Sequence, residues 1–125
     1  MGTITLTPAQ IKWLEAMDIT EYSVDDEGFV NVDGTVDISD KDLLSIPVKF
    51  GYVGGSFECW SNNLTSLQGA PREVGGDFAC SHNNLSSLQG SPREVGGNFY
   101  CWGNKFTSEE PDHSFIKIDG DFEWK

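Results

Sequence analysis

The sequence predicts an α+β fold: a short β-solenoid with one parallel strand per 21-residue coil, an N-terminal helix and β-hairpin as its cap, and a C-terminal edge strand. Three observations carry this reading. Val53-Gly54-Gly55-Ser56-Phe57-Glu58-Cys59 returns as Val74-Gly75-Gly76-Asp77-Phe78-Ala79-Cys80 and again as Val95-Gly96-Gly97-Asn98-Phe99-Tyr100-Cys101, each time 21 residues on. Asn63-Leu64-Thr65-Ser66-Leu67-Gln68-Gly69 and the Pro-Arg-Glu that follows come back almost letter for letter over residues 84–94. A fixed period of about 20–29 residues is the mark of a solenoid with one strand per coil. Hydrophobic residues make up only 38% of the 125, little for a globule but enough when each coil's few inward residues are buried by its neighbours.

Taken in order, Thr7-Pro8-Ala9-Gln10 reads as a helix start, with Thr at the N-cap, Pro at N1 and Gln at N3 closing a capping box. Ile11, Leu14 and Met17 then share one face with Trp13 beside it, so a helix of about ten residues covers the open end of the array. Tyr22-Ser23-Val24, the polar turn Asp25-Asp26-Glu27-Gly28 and Phe29-Val30-Asn31-Val32 read as a hairpin. A degenerate first coil begins there, because Val32 to Ile38 aligns with Val53 to Cys59, and Leu43 and Ile46 match Leu64 and Leu67. Ile118 to Trp124 repeats the template once more, 23 residues after Val95. The organisation is therefore a cap over residues 1–31, a solenoid over 32–107, and a linker with a closing strand over 108–125.

Strand alternation sorts the repeat into two faces. Phe57, Phe78, Phe99 and Phe122 form one inner column after Val36. Ile38, Cys59, Cys80, Cys101 and Trp124 form a second, with Leu43, Leu64, Leu85 and Phe106 completing the core. Asn62, Asn83 and Asn104, five residues after each Phe, are placed to satisfy loop backbone groups as an asparagine ladder. The outer columns are Thr35/Ser56/Asp77/Asn98/Asp121, then Asp37/Glu58/Ala79/Tyr100/Glu123, and Ser39/Trp60/Ser81/Trp102/Lys125. Coils about 4.8 Å apart put Trp60 and Trp102 on the order of 10 Å from each other, over a shallow depression at Ala79 and Ser81.

The charge is −12 and uneven. Residues 1–50 carry ten acids against three lysines, 51–108 carry four against three basic residues, and 109–125 carry six against two. Acidic ends disfavour direct binding to nucleic acid or an anionic membrane and favour a basic partner. No run approaches the ~18 apolar residues of a membrane span. Met1 to Leu6 show no signal-peptide pattern, and position six lacks the Ser or Thr of a myristoylation site. Three cysteines at one repeat position argue for reduced thiols and a cytoplasmic setting.

The run Phe57-Glu58-Cys59-Trp60-Ser61-Asn62-Asn63-Leu64-Thr65-Ser66-Leu67 resembles the Leu-x-x-Leu-x-Leu-x-x-Asn-x-Leu core of short bacterial leucine-rich repeats. It departs in one place. Val53, Val74 and Val95 lie four residues before Phe rather than three, and a Gly-Gly pair absorbs the difference in a bulge or tighter bend. More closely, Val-Gly-Gly-x-Phe-x-Cys-x-x-Asn-x-Leu-Thr-Ser-Leu-x-Gly-x-Pro is similar to small leucine-rich-repeat-like proteins of tailed bacteriophages and prophages. The leader Gly28 to Ser39 and Lys49-Phe50-Gly51 resemble theirs too, so the likeness spans about residues 7–107. It implies the fold and a phage setting in a bacterial host, and no single activity.

Reaction chemistry is hard to find. Cys59, Cys80 and Cys101 with His82 do not converge as zinc ligands must, and read as core. His82 and His113 have no nucleophile or oxyanion arrangement beside them. The Gly-Gly pairs lack the following helix and Lys-Ser/Thr of a phosphate loop. Asp25-Asp26-Glu27 and Glu109-Glu110-Pro111-Asp112 lack calcium-loop spacing. Trp60, Tyr100 and Trp102 differ in kind, because Ser39 and Ser81 show that the fold does not need an aromatic there, and exposed aromatics on a rigid face anchor binding. The partner-binding set is Trp60, Tyr100 and Trp102 with Glu58, Asp77, Asn98, His82 and Asp37. This reads as a non-enzymatic protein-binding module without cofactor or metal: a phage-encoded inhibitor of a basic host defence protein, its carboxylates standing in for phosphates. The alternatives are an oligomeric sponge for a nucleotide signal and a phage accessory or structural interaction protein.

Overall fold

Thr7 starts the helix in the way its neighbours require. In a computed structural model that describes residues 5–107 and 109–125, α1 runs Pro8–Ala16. Met1 to Ile4, read above for a leader or an acyl acceptor, and Ser108 of the linker lie outside the described residues. The Thr7 hydroxyl accepts from the Gln10 N–H at 3.2 Å and Gln10 Oε1 accepts from the Thr7 N–H at 2.9 Å, so two orphan donors are satisfied reciprocally. Gln10 Nε2 also donates to Pro47 O at 3.1 Å, fastening the cap to the first coil. Leu14 is fully buried, and the Trp13 ring lies 6.3 Å from Phe50. Ile11, placed on the buried face by its spacing, is exposed. A nine-residue helix laid across a narrow solenoid end touches it along the line of Leu14, with the half-buried Trp13 and Met17 beside it.

The hairpin follows. β1 (Ser23–Val24) and β2 (Val30–Val32) pair antiparallel, Ser23 opposite Asn31 and Val24 opposite Val30. Asp25 Oδ1 accepts from the Glu27 and Phe29 N–H groups and Gly28 supplies a φ of 86°, an Asx-type turn that needs a left-handed residue. These backbone donors, Phe29 first, hold the Asp25 carboxyl below its ordinary range.

The rest of the chain winds as a parallel solenoid. Its strands are β3 (Val36–Asp37), β4 (Phe50–Val53), β5 (Phe57–Glu58), β6 (Glu73–Val74), β7 (Phe78–Ala79), β8 (Glu94–Val95), β9 (Phe99–Tyr100), β10 (Lys117–Ile118) and β11 (Phe122–Glu123). They form two sheets, β1-β2-β4-β6-β8-β10 and β3-β5-β7-β9-β11, in which every pair beyond the hairpin is parallel. Besides the Phe-x-Cys strand, each coil thus contributes a second short strand that ends at the repeat valine. The Gly-Gly pair is the corner between the sheets. A Cβ on Gly54, Gly75 or Gly96 would strike the backbone oxygen of Asp33, Gly54 or Gly75 in the preceding coil, so only glycine lets neighbouring coils close up here.

Register follows the repeat. Phe57 pairs with Phe78 and Phe78 with Phe99, while Phe99 pairs with Phe122, 23 residues on. Linker residues 109–117 hold the two extra residues, and Asp112 Oδ1 accepts there from the Ser114 N–H and hydroxyl. The phenylalanine rings make one column, 5.8, 5.1 and 5.4 Å between successive centroids, with Phe50 edge-on to Phe57 at 5.2 Å. Cys59, Cys80, Cys101, Leu64 and Leu85 are fully buried, while Leu43 and Phe106, at the ends of their column, are half-buried. The asparagine ladder is present. Asn83 Oδ1 accepts from the Leu64 N–H at 3.0 Å, and its Nδ2 donates to Cys59 O and Cys80 O at 3.0 and 3.2 Å. Asn62 and Asn104 repeat the pattern one coil to either side.

Candidate partner-binding face

Alternation along β5, β7 and β9 that buries Phe and Cys turns the intervening side chains outward, and the three outer columns prove different in kind. In the first, each side chain is spent on the next coil. Thr35 Oγ1 accepts from the Ser56 N–H at 3.1 Å, Ser56 Oγ from Asp77 at 3.0 Å, Asp77 Oδ1 from Asn98 at 2.7 Å and Asn98 Oδ1 from Asp121 at 2.8 Å. Asp77 and Asn98 therefore belong to a second polar ladder. Sequence carried the signal, since every member of the column is a short oxygen acceptor able to bond a backbone N–H locally.

The other two columns bring the aromatics together. Trp60 is 36% exposed, and its indole Nε1–H donates to Glu58 Oε1 at a long 3.4 Å. Tyr100 and Trp102 are half-buried against each other, edge-on with centroids 5.2 Å apart, an arrangement that adds ring–ring attraction to burial. Asn98 Nδ2 donates to the Tyr100 hydroxyl at 2.9 Å and fixes that ring. Trp60 is thus the freer indole, and Trp102 is the braced one. Between them Ala79 and Ser81 are 9% and 3% exposed, so the side chains around them close the expected depression. The Ser81 Oγ is buried and has no hydrogen-bond partner among the described residues.

His82 and Asp37 sit at the margin. His82 has a φ of 56°, as do its counterparts Asp40 (56°), Ser61 (53°) and Gly103 (74°) in other coils, so the position is a left-handed turn before it is anything else. Its ring lies over Gly103, where a Cβ would collide with it. The Asp37 carboxylate is exposed and turns back to accept from the Ser39 N–H and hydroxyl.

The remaining chemistry-bearing residues pack. Burial pushes all three thiols well above their ordinary range, that of Cys101 to about 12, which suppresses thiolate reactivity. The His113 ring stacks on Phe122 with centroids 3.7 Å apart, its Nδ1 3.1 Å from Pro111 O. Among the described residues no group of three or more His, Cys, Asp or Glu is placed to hold a metal. Nor is any helix among the described residues long and apolar enough to cross a membrane. Arg72 and Lys49 lie over the Phe29 ring at 4.4 and 4.9 Å. A cleft of about 490 Å³ opens between residues 18–23 and 31–35, and Asp18, Glu21 and Asp33 line it with no Lys or Arg. The sequence counts these acids among the ten of residues 1–50 but does not show their convergence, which depends on how the segment after α1 lies against the hairpin.

No family model, curated protein or solved structure matches the chain.

Proposed function

We propose that this is a non-enzymatic recognition protein whose outer strand face, Trp60 with Tyr100 and Trp102, binds a basic protein. The observation that carries the reading is the exposed Trp60 indole on a backbone fixed by parallel strands and two side-chain ladders. A rigid aromatic pays little ordering entropy on binding, which is what an anchor needs. The charge of −12 selects the partner's sign. Together with the repeat's resemblance to phage leucine-rich-repeat-like proteins, this favours a phage-encoded inhibitor of a host defence protein, its acidic clefts and ends occupying a surface that otherwise meets nucleic acid. A nucleotide sponge fits less well, because the floor between the tryptophans is closed and its polar rim is acidic.

Capture from bacterial lysate tests the reading. A basic protein retained by wild type, released by moderate salt and lost with Trp60→Ala/Trp102→Ala is the expected result. Equal retention by the double variant would place the contact elsewhere.

A further inference from the structure

The two ends of the solenoid are finished differently. Beneath the N-terminal cap, the inward residues Val36 and Ile38 of the first coil are 1% and 0% exposed. At the other end the same columns finish in Phe122 and Trp124, both only half-buried. β11 pairs with β9 on one side, and among the described residues no strand pairs with its other side. The ladder shows which groups this leaves open. The Phe99 and Cys101 N–H groups donate to Asp121 O and Glu123 O at 2.8 Å, as the same positions do in every coil before them. Phe122 and Trp124 hold those two places in β11, with no strand beyond them to accept. The outer polar ladder stops here too. Asp77 Oδ1 accepts from the Asn98 N–H, whereas Asp121, its counterpart at the end of the column, has no following coil to bond. Two backbone donors and one carboxylate acceptor therefore face out of the open end, already in strand register.

We infer that this edge is a docking site for an extended basic strand of a partner, added parallel to β11 as one more rung of the sheet. An open strand edge is a template for a further strand. In such an addition main-chain bonds supply affinity and alternate side chains supply specificity. Continuing the register of β9 on β11 gives the ligand's bonds. Phe122 N–H and Trp124 N–H donate to two of its carbonyls, two residues apart, and one of its own N–H groups donates to the Asp121 carboxylate. Alternation gives its sequence. The residues beside Asp121 and Glu123 point outward next to two exposed carboxylates, and are basic. The residue over Phe122 is small, because the His113 ring already stacks there with centroids 3.7 Å apart. The residue over Trp124 is apolar. Charge also decides against a second copy of this chain as the occupant. Residues 109–125 carry six acids and two lysines, and a second copy would set the same carboxylates against Asp121 and Glu123. The edge looks along the solenoid axis and the Trp60–Trp102 face looks across it, so the two surfaces take separate ligands.

The probe is the peptide Gly-Arg-Ala-Arg-Leu-Gly, acetylated and amidated at its ends and titrated while the backbone amide signals are followed by NMR. One control carries Glu in place of both Arg residues at the same ionic strength. The other is N-methylated at both arginines, which keeps charge and side chains and removes the N–H groups a strand needs. The arginine peptide is expected to move the Phe122 and Trp124 amide signals downfield saturably and to slow their hydrogen exchange, with the Trp60 indole signal left in place. The N-methylated form should bind about ten-fold more weakly or worse. Asp121→Lys/Glu123→Lys, two changes at exposed side chains, should weaken the arginine peptide about ten-fold, the loss of two cross-strand charge pairs, and should bind the Glu peptide in its place. Equal binding of the N-methylated peptide, or no saturable shift at Phe122 and Trp124, would overturn the proposal. So would a free protein that sediments as a dimer with those two amides already protected from exchange, since a second copy would then fill the edge. Capture through Trp60 and Trp102 is read separately and survives any of these failures.

Discussion

The inner and outer faces of the same strands obey different rules. Facing in, β5, β7, β9 and β11 present Phe every time, and the first three follow it with Cys. Facing out, the column Asp37, Glu58, Ala79, Tyr100, Glu123 changes at every step. The inner face repeats because coils stack at a fixed spacing, and a ring column at 5.1–5.8 Å tolerates neither a gap nor an extra methylene. The outer face is released from that constraint, except in the Thr35-to-Asp121 column where backbone N–H groups still need acceptors. Variation within a repeat therefore marks the residues that stacking does not require. By that criterion Trp60, Tyr100 and Trp102 are the informative ones.

Substitutions should separate the faces by stability. Phe78→Ala, which breaks the ring column at its centre, is expected to cost about 3–5 kcal/mol in urea unfolding. A loss of under 1 kcal/mol would mean the column is not the core. Asn83→Ala strands the Leu64 N–H and takes one of two amide donors from each of the Cys59 and Cys80 carbonyls, which keep Asn62 and Asn104, and about 1–3 kcal/mol should go with it. Asn83→Asp tests the donor half of the same network and should also destabilise. Trp60→Ala, on the other face, should change stability by about 0.5 kcal/mol or less. A large loss there would show that the indole belongs to the packing.

Alkaline titration probes the inner face without a mutation. A thiol that holds its proton more tightly folded than unfolded stabilises the chain fully below its ordinary pKa of 9.0, and that contribution is lost as the pH climbs toward about 12, where Cys101 ionises in the folded chain. The slope is about 1.4 kcal/mol per pH unit for each buried cysteine. Urea midpoints of wild type should accordingly fall more steeply between pH 9 and 11 than those of Cys101→Ala. Parallel curves for the two proteins would show that Cys101 is not buried as described.

The repeat makes the fold legible because a 21-residue period fixes both the register and the columns. Phe57, Phe78, Phe99 and the asparagine ladder could be placed from spacing alone. The second strand of each coil escaped, because Glu73-Val74 and Glu94-Val95 are two residues long and a run so short has no periodicity to read. Ile11 escaped because helical spacing gives a face and not how much of it the solenoid end can cover. At the site, the aromatics were visible as departures from their own repeat. The commitment of Asp77 and Asn98 to a ladder depends on bonds between coils that a single repeat does not display.

Oxidative footprinting of the complex with the captured partner tests the central claim most directly, since it reports side chains and not the already bonded strand amides. The account predicts that partner binding slows oxidation of Trp60, and of Tyr100 and Trp102 to a lesser degree, while Trp13 and Trp124 are unchanged. Protection confined to Tyr22 at the N-terminal cleft or to Phe115 and Trp124 of the C-terminal coil, with Trp60 oxidised as in the free protein, would contradict it.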